Sequence, residues 1–292
     1  MTLPSTLKGI LCVVAAAILW ALSAITAKFL FNSEVSPWDL TQMRLVLSAL
    51  VLGIYLACRN PASLRIDRND LGYMVIFGIM GVSAMQIAYF FTISQTNVAT
   101  AVFLEYLAPI IILVYELLNG RETPSWNRIL PVVIATIGGF LIVKGTTGQG
   151  MAVTPIGLVS GIGSAFAFAF YILYSRYGLA KYSSWTLLFW GYTIGGLAWT
   201  LNGWPWETFL TYQGSTWLYF LYIAIFATIM PAGLFFKGLT MLSPVAAGVT
   251  STLEPVAAGV LAFLLLGEVL TGMQLMGSLL IIIAITVIQL KG

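Results

Sequence analysis

Two carboxylates set inside apolar runs are the residues of this chain best placed to do chemistry. Glu105 lies one turn before Pro109 in NVATAVFLEYLAPIIILVYELLNGRE, residues 97–122, and Glu254 immediately precedes Pro255 in SPVAAGVTSTLEPVAAGVLAFLLLGE, residues 243–268. A proline has no N–H for the carbonyl four residues earlier, so Pro109 frees that of Glu105 and Pro255 that of Ser251. Each half of the chain thus puts a carboxylate beside disturbed helical backbone. Embedded charges are costly and mark ammonium ligands or proton carriers. The plainer role is a structural hydrogen bond to a neighbouring helix, or holding the kink.

Weaker candidates share the same runs. Gly161, Ser164, Phe168, Tyr171 and Ser175 follow helical spacing and form one small, polar and aromatic face. A shift of 148 residues turns Phe168 into Trp20 and Tyr171 into Ser23. An aromatic ring above a hydroxyl on both helices suits a cavity wall, where the ring packs on a side chain or covers a cation; gap filling between helices is the alternative. Phe166 and Phe170 then point away, toward lipid. Gln86 brings an amide that needs a partner inside an apolar span, with Tyr89 a turn on, and its repeat mate is Pro231, a third expected kink. Tyr106 is a candidate of the same kind. Lys237 reads as a snorkelling side chain, Arg44 and Lys28 as outer-face residues beside Asp39 and Glu34, and Glu116 as a partner of Arg121 at the rim.

These residues must be positioned by helices. The chain of 292 residues is 60% apolar and 8% charged, with mean hydropathy +0.97; soluble domains are roughly a quarter charged. Most of its surface must therefore face lipid. A bilayer span takes about 20 apolar residues, and ten runs qualify: 9–31, 39–58, 71–94, 98–118, 129–145, 155–175, 184–203, 217–238, 245–266 and 272–290. The chain is also a duplication. Pro109 matches Pro255 and Glu122 matches Glu268 at a separation of 146, while Gly9 pairs with Gly157, Lys28 with Arg176, Trp38 with Trp185 and Phe91 with Phe236 at 145 to 148. The expected units are 1–148 and 149–292.

Charge sets orientation. Lys8, Arg59, Arg65, Arg68, Arg121, Arg128, Arg176, Lys181 and Lys291 fall at one set of helix ends, with only Lys28 and Lys144 at the other. By the positive-inside rule both termini are cytosolic, and five spans per copy invert the second half. Lys8 and Ala21-Leu22-Ser23-Ala24 resemble a signal peptide, but cleavage would leave 155–175 without its repeat partner, so an uncleaved span is expected. Trp204 and Trp206 read as interfacial anchors.

Other functions are disfavoured. The net charge is +3 with scattered basic residues, which gives no nucleic-acid footprint. Histidine is absent, which removes the usual general base and the commonest metal ligand. Cys12 and Cys58 lack metal spacing. No metal, cofactor or catalytic residue is expected, and oligomeric state is not readable. A receptor or assembly subunit would not require the internal inversion.

The ten runs, Leu253-Glu254-Pro255 with Gly267-Glu268, and Leu107-Ala108-Pro109 with Arg121-Glu122 in the first copy resemble the drug/metabolite transporter superfamily, EamA-like branch. The resemblance implies an all-α, multi-pass carrier of the bacterial inner membrane, often an exporter of amino acids or other metabolites; YddG-type amino-acid exporters are the members to compare first. Carriers built on inverted repeats bind substrate near the midplane between the repeats. The expected cavity residues are Trp20, Ser23, Gln86, Tyr89, Glu105, Tyr106, Phe168, Tyr171 and Glu254. The expected function is export of amino acids, neutral or aromatic ones favoured, or of similar small metabolites, by alternating access around a central cavity between the two repeats. The alternative is proton-coupled export of organic cations, for which an aromatic cage and a carboxylate would suffice.

Overall fold

The computed structural model describes residues 4–291 except 122, 146–153, 202, 213 and 267–268, and leaves out the side chains of 24, 25, 28, 32, 262, 265, 266, 290 and 291. Glu122, Gly267, Glu268 and the expected boundary at 148/149 lie outside the described residues, as does the side chain of Lys28.

The chain is all-α, with no strand among the described residues. In order come α1 (Ser5–Asn32), α2 (Pro37–Arg59), α3 (Leu71–Ile76), α4 (Ala84–Gln95), α5 (Val98–Glu105), α6 (Ala108–Leu118) and α7 (Trp126–Gly145). The second half contains α8 (Pro155–Leu179), α9 (Ser184–Trp199), α10 (Pro205–Thr211), α11 (Ser215–Ala224), α12 (Met230–Leu239), α13 (Pro244–Ser251), α14 (Leu253–Leu266) and α15 (Gly272–Lys291). Hydroxyl or amide caps followed by proline or small residues start several of them. Thr154 Oγ1 accepts from Gly157 N at 3.0 Å, and Asn97 Oδ1 accepts from Thr100 N at 2.8 Å. Each such cap is worth about 1 kcal/mol.

Nine stretches of described residues form helices long and apolar enough to cross a membrane. Of the ten expected runs, the one at 184–203 falls short: α9 has 16 residues and ends at Trp199.

Two of the long rods are broken. The fourth breaks at Tyr106 and Leu107, just before Pro109 enters the first turn of α6, and the ninth breaks at Thr252, just before Pro255. Proline is tolerated at those positions because its missing N–H falls among the unpaired donors of a helix start. Wide π-turns at Phe77–Ser83 and Ile225–Ile229 join α3 to α4 and α11 to α12. Such turns are uncommon, and here they recur at matching places in the two halves. At the second, Thr228 Oγ1 donates to Ile223 O, five residues back, at 2.7 Å.

The halves exchange their first helices. α1 packs on α12, α13 and α14, whereas α8 packs on α4, α5 and α6. Glycines carry the closest approach elsewhere: a Cβ on Gly138 of α7 would lie 2.7 Å from Gly277 O of α15. This contact brings two backbones together without side chains between them.

Candidate functional site

The exchange of α1 and α8 sets them on either side of the two broken rods, and a cavity of about 440 Å3 lies between them. Trp20 and Ser23 line it from α1, Gln86 and Tyr89 from α4, Glu105 and Tyr106 at the break after α5, Phe168 from α8, and Glu254 from α14. All the expected cavity residues except Tyr171 therefore meet in one space.

Both carboxylates are held by a hydroxyl from the opposite half. Ser164 Oγ donates to Glu105 Oε1 at 2.9 Å, and Tyr106 Oη donates to Glu254 Oε2 at 2.7 Å. Glu254 stands in the first turn of α14, where the helix N-terminus favours negative charge, whereas Glu105 closes α5 at the opposite pole. Two repeat-related breaks thus give two unlike carboxylate environments.

Sequence reasoning missed Arg44 and Met85, which also line the cavity. Arg44 is not an outer-face residue paired with Asp39. The Asp39 carboxylate is engaged by Thr208 Oγ1 at 3.2 Å and Tyr212 Oη at 2.8 Å, while the Arg44 side chain turns inward and is 6% exposed. There its Nη2 donates to Ala227 O at 2.7 Å. Ala227 precedes Pro231 by four residues, so the proline leaves that carbonyl without its helical donor and the guanidinium supplies one. The rule applied above to Pro109 and Pro255 would have exposed this partner had it been applied to Pro231. The guanidinium also lies 5.4 Å from the centre of the Phe90 ring. Among the described residues no ion pair joins Arg44 to either glutamate.

Several polar groups here have no protein partner. Arg44 Nε and Tyr89 Oη are buried without a hydrogen bond, and the buried Gln86 amide makes none to a described residue. Buried polar atoms are nearly always paired, so a cluster of unpaired ones facing one cavity marks a place where a ligand or water completes them.

Tyr171 is a correction to the expected cavity. It is buried, and its ring stacks 5.0 Å from Phe236 and 5.7 Å from Phe77. The step of three residues from Phe168 to Tyr171 amounts to about 4.5 Å of helix rise, and Tyr171 is not part of the cavity lining. Phe235 packs behind Trp20, with ring centres 5.3 Å apart. Phe31 meets Phe90 edge-on at 5.9 Å on the Arg44 side. Of the remaining expectations, Lys237 is exposed, Glu116 lies 3.7 Å from Arg121 yet is itself buried, and the described residues contain no group of side chains suited to a metal.

The sequence profile of the EamA-like transporter family matches residues 7–144 and again 155–290. The chain belongs to that family. This EamA-like transporter is 31% identical over 292 residues to the uncharacterized inner membrane transporter YicL of Salmonella typhimurium, covering 99% of this chain and 97% of the relative. The threonine/homoserine exporter RhtA of the same organism is 26% identical over 259 residues, or 88% of this chain and 83% of its own. A solved crystal structure superposes with a TM-score of 0.77 over 98% of this chain and 96% of its own, at 19% sequence identity, which shows a shared fold. This EamA-like transporter is thus a multi-pass transporter of the bacterial inner membrane, within the drug/metabolite transporter superfamily.

Proposed function

We propose that the transporter exports amino acids, neutral or aromatic, through this cavity by alternating access between two inverted five-span halves, 1–148 and 149–292. On this reading α9 serves as the seventh of ten spans and both termini are cytosolic. YddG-type amino-acid exporters are the family members to compare with it first.

The observation that carries the substrate class is the inward-turned Arg44, with Nε unpaired, in one space with Glu105 and Glu254. A zwitterion needs donors for its carboxylate and acceptors for its ammonium. Arg44, Gln86 and Tyr89 offer the first, and the two glutamates offer the second. The Trp20 and Phe168 rings leave an apolar place for the side chain. The name of RhtA supports the same class, because threonine and homoserine are neutral amino acids.

Organic-cation export is the second reading, favoured by the paired carboxylates and the aromatic walls. Counterflow in proteoliposomes separates the two, using labelled amino acids and the amines that result from losing their carboxyl groups. Amino-acid export predicts that amino acids move, that amines move poorly, and that Arg44→Gln abolishes the difference. Amines moving as fast as amino acids, untouched by Arg44→Gln, would overturn it in favour of the cation reading.

A further inference from the structure

A second, larger space lies outside the substrate cavity. It is a groove of about 1,850 Å3 between α3, α6 and α8. Its walls are apolar along most of their length: Ile111 from α6, and Phe166, Phe170 and Leu173 from α8. Phe166 is 59% exposed, so no described part of the chain covers this ring. Its chemistry changes at one end. Arg121 follows the end of α6, Arg176 lies in the last turn of α8, and the hydroxyl-bearing rings of Tyr115 and Tyr177 stand beside them.

The charges at that end are matched only in part. Among the described residues no carboxylate lines the groove. Arg121 has the buried Glu116 at 3.7 Å and lies over the Tyr115 ring at 5.6 Å. The Arg176 side chain is exposed and has no hydrogen-bond or ion-pair partner among the described residues. From Phe166 to Arg176 the helix rises about 15 Å, half the hydrocarbon thickness of a bilayer. The groove thus runs from a cationic, tyrosine-rimmed mouth at the helix ends to an apolar trough at bilayer depth. A soluble anion would use only the mouth, and a neutral lipid only the trough.

We propose that this groove is a binding site for an anionic glycerophospholipid, with its phosphate at Arg121 and Arg176 and an acyl chain along Ile111, Phe166 and Leu173. Basic clefts between membrane helices select anionic headgroups through added charge attraction. The site is separate from the substrate cavity and does not depend on what the transporter carries.

The test is native mass spectrometry of the detergent-purified full chain with phosphatidylglycerol or phosphatidylcholine of identical acyl chains. Wild-type protein retains phosphatidylglycerol over phosphatidylcholine by roughly tenfold or more, as two cationic contacts imply. The double variant Arg121→Gln/Arg176→Gln loses the preference, and Arg59→Gln, an exposed charge at the end of α2, keeps it. If the double variant folds poorly, Arg176→Gln alone carries the test, because that side chain has no partner to lose. Equal retention of the two lipids would overturn the proposal, as would an equal loss in Arg59→Gln. Displacement of the bound lipid by inorganic phosphate would reassign the mouth to a soluble anion, and a lipid-free dimer would reassign the groove to a second copy.

Discussion

Tyr106 Oη donates to Glu254 Oε2 at 2.7 Å, joining residues 148 apart in sequence. The Ser164–Glu105 bond runs the other way between the halves, at 2.9 Å. Neither carboxylate is held by its own half, so relative motion of the halves must break or trade both bonds. The candidate cavity and the seam between the halves are one structure.

Replacing Tyr106 by Phe removes that bond while leaving the ring, which meets Phe168 edge-on at 5.9 Å. A buried carboxylate loses a partner, at a cost of about 1–3 kcal/mol. Thermal unfolding in detergent should show a lower midpoint for the variant; an unchanged midpoint would mean that water replaces the hydroxyl at no cost.

Pro231→Ala tests how Arg44 is held. The new N–H can return to Ala227 O and compete with the guanidinium, whose bond to that carbonyl is 2.7 Å. KM for a carboxylate-bearing substrate should rise on the order of tenfold, the equivalent of one charged hydrogen bond, with thermal stability retained. An unaltered KM would show that the cavity, not the freed carbonyl, sets the position of Arg44.

Gly138→Ala and Gly277→Ala each place a methyl against backbone. The added Cβ atoms would lie 2.7 Å from Gly277 O and 2.5 Å from Gly138 O. Helix backbones cannot yield as a side-chain tip can, so each change should destabilise by about 1–3 kcal/mol. Because the two changes strain one contact, the double variant should lose less than the sum. Additive losses in chemical unfolding would indicate two separate contacts.

At the far end of α8, Lys181 Nζ lies 2.6 Å from Asp70 Oδ2, and Tyr182 Oη also donates to Asp70. The hydrogen bond to Asp70 holds the Lys181 ammonium above its usual range. A raised folded value contributes stability that is full below the unfolded value, near 10.4, and disappears only as pH climbs through the folded one. Lys181→Met should therefore lower the unfolding midpoint equally at pH 6 and pH 9. A deficit that shrinks between those values would show that another group dominates the contact.

Much of the cavity was legible because polar side chains inside apolar runs have few excuses, and helical spacing says which of them share a face. Glu105, Glu254 and Gln86 announce themselves in this way, and the repeat offset leads from Phe168 to Trp20. Arg44 was hidden by its place on α2: two turns from a helix start, a long cation reads as rim, and only the identity of its acceptor shows that it turns inward. Tyr171 failed for the opposite reason, since a shared helix face says nothing about depth. The π-turns had even less to betray them, because Phe77–Ser83 contains no proline and differs from ordinary helix only in how its backbone is wound.

The offset that pairs Trp38 with Trp185 also pairs Arg44 with Gly191. Where the first half projects a cation inward, the second has a notch in which a Cβ would sit 2.8 Å from the Phe77 ring. A machine made of two interchangeable copies would rest equally well facing either compartment. Here one copy carries a charge and the other a ring in a hollow, so on the alternating-access reading the two resting positions are unequal in energy before any cargo arrives.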